Sequence, residues 1–295
     1  MEITLGPLLF HWPEPVARDF YARVADESEF DRVYLGEIVC SKRWPFTDEW
    51  LAPVAERLSR GGKAVVWSSP AMPSTPRERR VCDALAARAG LVEINDVAAF
   101  TARAGRPFVA GPLLNIYNEL AAARLASRGC VRLCANVELS LDAIGAIHRA
   151  CPELELELFA FGRTPLAISA RCYHARRHGL HKDGCKFLCA QDPDGMAAST
   201  FEGQPFLAVN GVQTLSHAYQ CLDASREAVA DAGVGALRLS PHSGDMIALA
   251  RAFRAYEREK IGPDDLRHAA REVAGAASLA SGYLRGEAGV AAAFS

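Results

Sequence analysis

Short apolar, β-branched runs alternate with stretches of helical spacing along most of this chain, and that alternation leaves few folds open. Candidate strands are ITLGPLLF (3–10), RVYLGE (32–37), AVVWSS (64–69), LVEIN (91–95), FVAGPLL (108–114), VRLCANVEL (131–139), LELELFAFG (154–162), FLAVNG (206–211) and ALRLSP (236–241). Between most of them lie helical patterns such as PVARDFYARVADES and TDEWLAPVAERLSRGG. Thr47 with Glu49, and Ser140 with Asp142, carry the chemistry of helix N-termini, and Gly61 and Gly62 suit a helix end. Strand and helix repeated about eight times predict a parallel α/β protein of the (β/α)8 TIM-barrel-like kind, with a doubly wound sheet as the alternative.

Segment 163–205 breaks the rhythm, being polar, basic and cysteine-bearing, and reads as an enlarged loop after strand seven. No long Pro/Gly/Ser linker divides the 295 residues, so one barrel-like domain over 1–295 with 163–205 as its insertion is expected. Half the residues are hydrophobic and 23% are charged, enough for a sizeable core. A net charge of -2 gives no global reason to bind nucleic acid or an acidic membrane surface. The N-terminal MEITLGPLLFHWPEP lacks a basic leader region, and no apolar run reaches the roughly 18 residues that span a bilayer, so a cytoplasmic protein is expected. The tail VAAAFS is expected to fray.

Barrel chemistry sits on the loops beyond the strands' C-terminal ends. The residues that fall there are Glu37 and Cys40, Asn115 to Asn118, Glu138, Arg171 and Cys172, Asn210 and Gln213, and Ser240 and His242. Glu37, Asn115, Asn118, Glu138, Arg171 and Asn210 are the candidates to bind a polar or carboxylate-bearing ligand. Strand-end hydrogen bonding is the plainer role for each.

The stretch RCYHARRHGLHKDGCKFLC (171–189) concentrates Cys172, Cys185 and Cys189 among histidines and basic residues. Twelve and three residues separate the cysteines, so Cys185 and Cys189 share a face if they lie on one helical turn. Soft thiolates suit iron–sulfur clusters, which take four of them, or zinc, for which His174, His178 and His181 are further donors. Cys40 in GEIVCSKR, just past a strand, is the natural fourth thiol, with Lys42, Arg43 and Arg171 to offset the negative charge. The histidines read as part of a solvated loop. Cys82, Cys130, Cys134, Cys151 and Cys221 read as small core residues, Cys130 and Cys134 sharing strand parity. The run ARRHGLHK (175–182) has the charge to follow phosphates, but without interleaved aromatic residues it reads as a solvated loop. No P-loop, G-x-G-x-x-G, G-x-S-x-G or H-E-x-x-H pattern occurs.

Together GEIVCSKR, FVAGPLLNIYN, LELELFAFGRTPLAISARC, C-x3-C and FLAVNGVQT resemble the UbiV-type branch of the collagenase-like U peptidase family, which acts in oxygen-independent ubiquinone biosynthesis. The likeness runs from LGPLLFHWP to GYLRGEAG. It implies a 4Fe-4S cluster on Cys40, Cys172, Cys185 and Cys189, and a heterodimer with a UbiU-type subunit. The implied activity is anaerobic hydroxylation of the aromatic ring of a ubiquinone precursor, with prephenate as oxygen donor. The wider family pattern is similar to E-x-F-x-x-G-x-x-C with a later G-R-C. Here Glu157, Phe159 and Gly162 match, but Pro165 replaces the first cysteine and Ala170 the later glycine. That departure speaks against the peptidase and RNA-hydroxylating activities of other branches and is consistent with Cys40 as the substitute ligand. The alternatives are a non-catalytic subunit stabilised by its cluster and an RNA-hydroxylating or peptidase-like enzyme.

Overall fold

In the computed structural model, which describes residues 1–292, eight parallel strands close on themselves. They are β1 (Glu2–Leu5), β2 (Arg32–Leu35), β3 (Ala64–Ser68), β4 (Val92–Ile94), β5 (Phe108–Ala110), β6 (Cys130–Cys134), the first half of β7 (Glu155–Ile168), and β11 (Val234–Leu239). Each pairs in parallel with the next, and β11 closes the ring by pairing with both β7 and β1. Helices α1 (Glu14–Glu27), α2 (Trp44–Arg60), α3 (Pro76–Ala86), α4 (Phe100–Arg103), α5 (Glu119–Ala126) and α6 (Leu141–Ala150) follow β1 to β6 in turn. Helix α8 (Arg226–Asp231) precedes β11, and α9 (Met246–Glu257) and α10 (Pro263–Ala274) follow it. This is the TIM-barrel-like fold that the strand–helix alternation predicts. The helix over 246–257 contains most of RAFRAYEREK, and its apolar side, with Leu249, Ala250 and Phe253, is buried.

Two-residue periodicity sorts each strand into inward and outward faces. Ile3, Leu5, Val33, Leu35, Leu156 and Leu237 join the apolar layer shared with the helices. The alternate positions face inward and include Tyr34, Val66 and Val109, which form a small cluster of their own. They also include charges: Arg238 pairs with Glu93 at 2.5 Å and Glu157 at 2.8 Å, and its guanidinium lies 3.9 Å from the centre of the Tyr34 ring. Tyr34 and Thr4 both donate hydroxyl protons to Glu157. The barrel core is therefore partly ionic, and each inward carboxylate of this group is matched.

Strand β7 is long because it serves two sheets. Its second half leaves the barrel and pairs antiparallel with β10 (Gln213–Cys221), which continues into β9 (Pro205–Asn210) and β8 (Met196–Ser199). FLAVNG, read from the sequence with the barrel strands, belongs to this added antiparallel sheet. A two-residue turn at Gly211 and Val212 lets a hairpin form, so the strand cannot take a parallel crossover. Between β7 and β8 lies α7 (Tyr173–Arg177) followed by 3-10 turns. Strand β12 (Leu279–Ala280) adds to β10, and Ala292 bridges to Ala280. Of the tail expected to fray, residues 293–295 lie outside the described residues. Among the described residues no helix is long and apolar enough to cross a membrane.

Helix starts follow local chemistry. Ser140 caps α6, Thr75 and Glu78 form a reciprocal box at α3, and Gly61 ends α2. Thr47 is no cap: α2 begins at Trp44, with Pro45 in its first turn, and the Thr47 hydroxyl donates to the Trp44 carbonyl at 3.2 Å.

Candidate metal centre

Cys40 is set by a tight turn beyond β2. The carboxylate of Glu37 accepts the amides of Val39 and Cys40, both at 2.9 Å, and its backbone carbonyl accepts the Trp44 indole N–H at 2.9 Å. The hydroxyl of Ser41 donates to Glu78, tying the turn to the start of α3. Across from it, Cys172 is the N-cap of α7, its sulfur accepting the Ala175 amide at 3.4 Å.

Cys185 and Cys189 do not share a helical turn, as their spacing allowed. Lys186 and Phe187 between them adopt positive φ of 50° and 52°; Cys185 ends one 3-10 turn and Cys189 lies within the next. The chain is folded back there rather than coiled, which brings both cysteines to one cavity with Cys40 and Cys172. That cavity is small, about 10 Å³, roughly the room of one water. Arg43, Lys42, His174, Lys182 and Gly211 complete its wall.

Electrostatics ties the group together. Burial pushes the thiols of Cys40, Cys172 and Cys189 above their usual range, and Arg43 pulls each partly back. Cys40 and Cys185 repel ionisation of Cys172, and Cys172 and Cys185 do the same to Cys189. Burial also pushes the Glu37 carboxyl up against the pull of Arg43, 3.7 Å away. Among the described residues no three His, Cys, Asp or Glu side chains converge on a single metal ion.

Arg43 itself is fully buried. Its Nη1 donates to the Leu9 carbonyl at 3.2 Å and its Nη2 to Asn210 Oδ1 at 2.6 Å. Asn210 in turn donates to the carbonyls of Cys189 and Asp192, at 3.0 and 2.8 Å. Asn210 thus joins Arg43 to the Cys189 turn. His174, read from sequence as solvated, is buried, with Nε2 3.1 Å from Asp192; β9 and the 3-10 turn cover it. His178 stacks on it from the exposed side, and His181, Arg171, Arg176 and Arg177 face solvent.

The other candidates do not gather in one pocket. Asn115, in a left-handed conformation, lines a barrel-mouth cavity of about 210 Å³ with Asn136, Pro112 and Pro165. Glu37 lines a separate cavity of about 320 Å³ between α2 and α3, walled by Trp44 and Trp67. Asn118 caps α5, accepting the Ala121 amide at 2.9 Å, and Glu138 is exposed and accepts the Tyr117 hydroxyl at 2.5 Å. The remaining cysteines are buried. Cys130 and Cys134 have different surroundings despite their parity. One extra residue of β6 against β5 separates them, leaving Cys130 in the apolar layer and Cys134 beside the Arg238 charges.

Sequence reasoning placed His242 at the rim and missed the cluster around it. His242 is fully buried beyond β11, its Nε2 facing the Arg163 amide at 3.4 Å, while the Arg163 guanidinium lies 4.5 Å from the Tyr219 ring centre. Gly162 permits this packing: at φ 128° a Cβ there would lie 2.6 Å from Ser240 Cβ. Its signal was the His two residues after ALRLS, without any partner to read.

Comparison with known proteins gives a match to the family model described as peptidase family U32 over residues 19–286. Three solved structures are similar at low identity. The U32 peptidase Mk0906 has 12% identity over 82% of this chain and 94% of its own, with a TM-score of 0.45. Thiamine phosphate pyrophosphorylase from Pyrococcus furiosus has 13% identity over 93% and 97%, with a TM-score of 0.40. A putative fructose-1,6-bisphosphate aldolase from Coccidioides immitis has 13% over 92% and 84%, with a TM-score of 0.41.

Proposed function

The chain belongs to peptidase family U32, and from that premise we propose that it is the iron–sulfur subunit of an oxygen-independent hydroxylase of the UbiV type. Its substrate is the aromatic ring of a ubiquinone precursor, its partner a UbiU-type subunit, and its oxygen donor prephenate. One barrel unit over 1–295, with 163–205 as the cysteine-bearing insertion, carries the site in the cytoplasm.

The observation that carries this reading is the meeting of Cys40, Cys172, Cys185 and Cys189 at one cavity, although more than 130 positions separate the first from the second. Four thiols around one buried space are the donor set of a 4Fe-4S cluster. A zinc ion draws its ligands to about 2.3 Å from one centre, whereas a cluster holds each thiolate on a different iron. Cys185 is half-buried, and the other three cysteines are buried. When bound, the cluster supplies one-electron chemistry, all its irons being held by the chain. Arg43, Lys42 and Lys182 balance the thiolate charge.

The departure at Pro165 supports the assignment against other branches. Pro165 lies on the extended half of β7, paired with Leu215, and lines the barrel mouth, not the thiol cavity. A ligand role there would need a different cavity, so Cys40 is the thiol that completes this one.

The reading is tested by co-producing the chain with a UbiU-type subunit and assaying anaerobic hydroxylation of the precursor. Cys40→Ala is expected to lose both cluster and product. Cluster loss with hydroxylation retained would assign the cluster a structural role and the chemistry to the partner. Product formed equally without prephenate would remove the oxygen-donor assignment.

A further inference from the structure

Arg43, in the wall of the thiol cavity, hydrogen-bonds the Cys189 side chain and still has one nitrogen without a partner. Arg43 is 1% exposed, its Nη1 and Nη2 are engaged by Leu9 and Asn210, and its Nε–H has no acceptor among the described residues. Arg163, Arg226 and Arg238 also leave Nε unpaired. The guanidiniums of Arg163 and Arg238, however, lie over the Tyr219 and Tyr34 rings at 4.5 and 3.9 Å, and Arg226 is part-exposed. Arg43 has no such ring among the described residues, and what it faces instead is sulfur. It lines the cavity with the four cysteines, acts on Cys40, Cys172 and Cys189, and is itself raised in pKa by Glu37, Cys189 and Cys40 against the cost of burial.

Three neighbours hold it in that pose. Asn210 fixes Nη2, and Glu37 is a counter-charge 3.7 Å away already occupied by two backbone amides. Gly211, at φ 68°, leaves the space that the guanidinium fills, since a Cβ there would lie 2.6 Å from Nη2. A buried N–H donor without an acceptor costs free energy unless a ligand satisfies it.

Resting on the iron–sulfur reading above, we infer that Arg43 donates its Nε–H to a sulfur of the cluster and thereby raises the cluster's reduction potential. Reduction adds one negative charge to the cluster, and a hydrogen bond to sulfur stabilises the more negative state. The cation acts in the same direction. Lysine keeps the charge but cannot reproduce two anchored nitrogens and a third donor in one plane.

The test is a redox titration followed by electron paramagnetic resonance on anaerobically prepared wild-type and Arg43→Lys protein. Alongside it, pulsed resonance is recorded on wild-type protein carrying 15N-arginine. The inference expects a reduced-to-oxidised ratio about tenfold lower in Arg43→Lys at a fixed poise, a shift of about 59 mV downward. It also expects a 15N coupling in the reduced wild-type cluster. If the variant fails to fold or to hold its cluster, the labelled wild-type decides alone. A wild-type cluster without 15N-arginine coupling overturns the inference and leaves the iron–sulfur reading standing, as does an unchanged potential in a loaded Arg43→Lys. A wild-type chain that takes up no iron overturns both.

Discussion

Two buried arginines show how differently the barrel interior and its rim are built. Arg238 meets two carboxylates at 2.5 and 2.8 Å and a tyrosine face, all inside the closed barrel. Burial pushes the Glu157 carboxyl up, but Arg238 outweighs it and the group ends below its ordinary value. Arg43, equally buried, has one carboxylate at 3.7 Å, a carbonyl, an amide and a wall of thiols. The first arrangement is electrically complete within the chain. The second has cationic capacity to spare beside four thiols. A buried charge that is matched holds a fold, and one that is under-matched points to a ligand.

The largest expected effect breaks the complete side. Arg238→Ala strands Glu93 and Glu157 without their partner and should lower unfolding free energy by about 3–5 kcal/mol, read from the urea midpoint. Arg43→Ala should cost less than that in the metal-free chain. Equal losses would erase the distinction between the two sites.

Acid should act on both regions through their buried histidines. Burial holds His242 neutral, its pKa lowered from 6.5 to about 4. The unfolded chain takes up that proton first, so the stability tied to His242 is complete above about 6.5 and is lost as pH falls toward 4. Its share is about 3 kcal/mol. His11, also lowered to about 4 by burial, adds to the same slope. His242→Gln should flatten the stability–pH curve in this window. The thiols of Cys40, Cys172 and Cys189 stay uncharged there, but His174 on the thiol cavity's wall is also lowered by burial, so the rim adds a slope of the same sign.

Gly211→Ala places a side chain in a left-handed position against Arg43, at a cost of about 1–2 kcal/mol. Its larger expected consequence is reduced cluster retention, read as iron per chain, because the displaced guanidinium no longer faces the thiols. Normal iron content with intact stability would show that Arg43 adapts. The smallest effect is expected at Asn118→Ala, about 1 kcal/mol from the lost helix cap, with no change in iron content or hydroxylation. A loss of activity at native stability would restore Asn118 to the substrate site.

The barrel was legible because all eight of its strands come from apolar runs that alternate with helical patterns. The exception in reading, FLAVNG, carries the same composition as the barrel strands; it forms a hairpin with β10, and the seat of β10 on the distant second half of β7 is not encoded in local pattern. The thiols of 171–189 stood out by density, and Cys40 by its place after a strand. Nothing local revealed that Arg43 would turn inward while Lys42 pairs with exposed Asp183. Asn210 was singled out as a ligand contact and is the brace between Arg43 and Cys189. Glu37 was likewise read as a pocket residue and is the acceptor that shapes the Cys40 turn. Both side chains make the strand-end hydrogen bonds that the sequence reading also allowed for them.

The most direct measurement is metal analysis of the anaerobically purified chain together with its absorption spectrum. The account predicts a brown protein with about four irons and four sulfides per chain, reduced to background when Cys40, Cys172, Cys185 or Cys189 is replaced by Ala. A colourless protein carrying zinc, or iron content indifferent to those four substitutions, would contradict it.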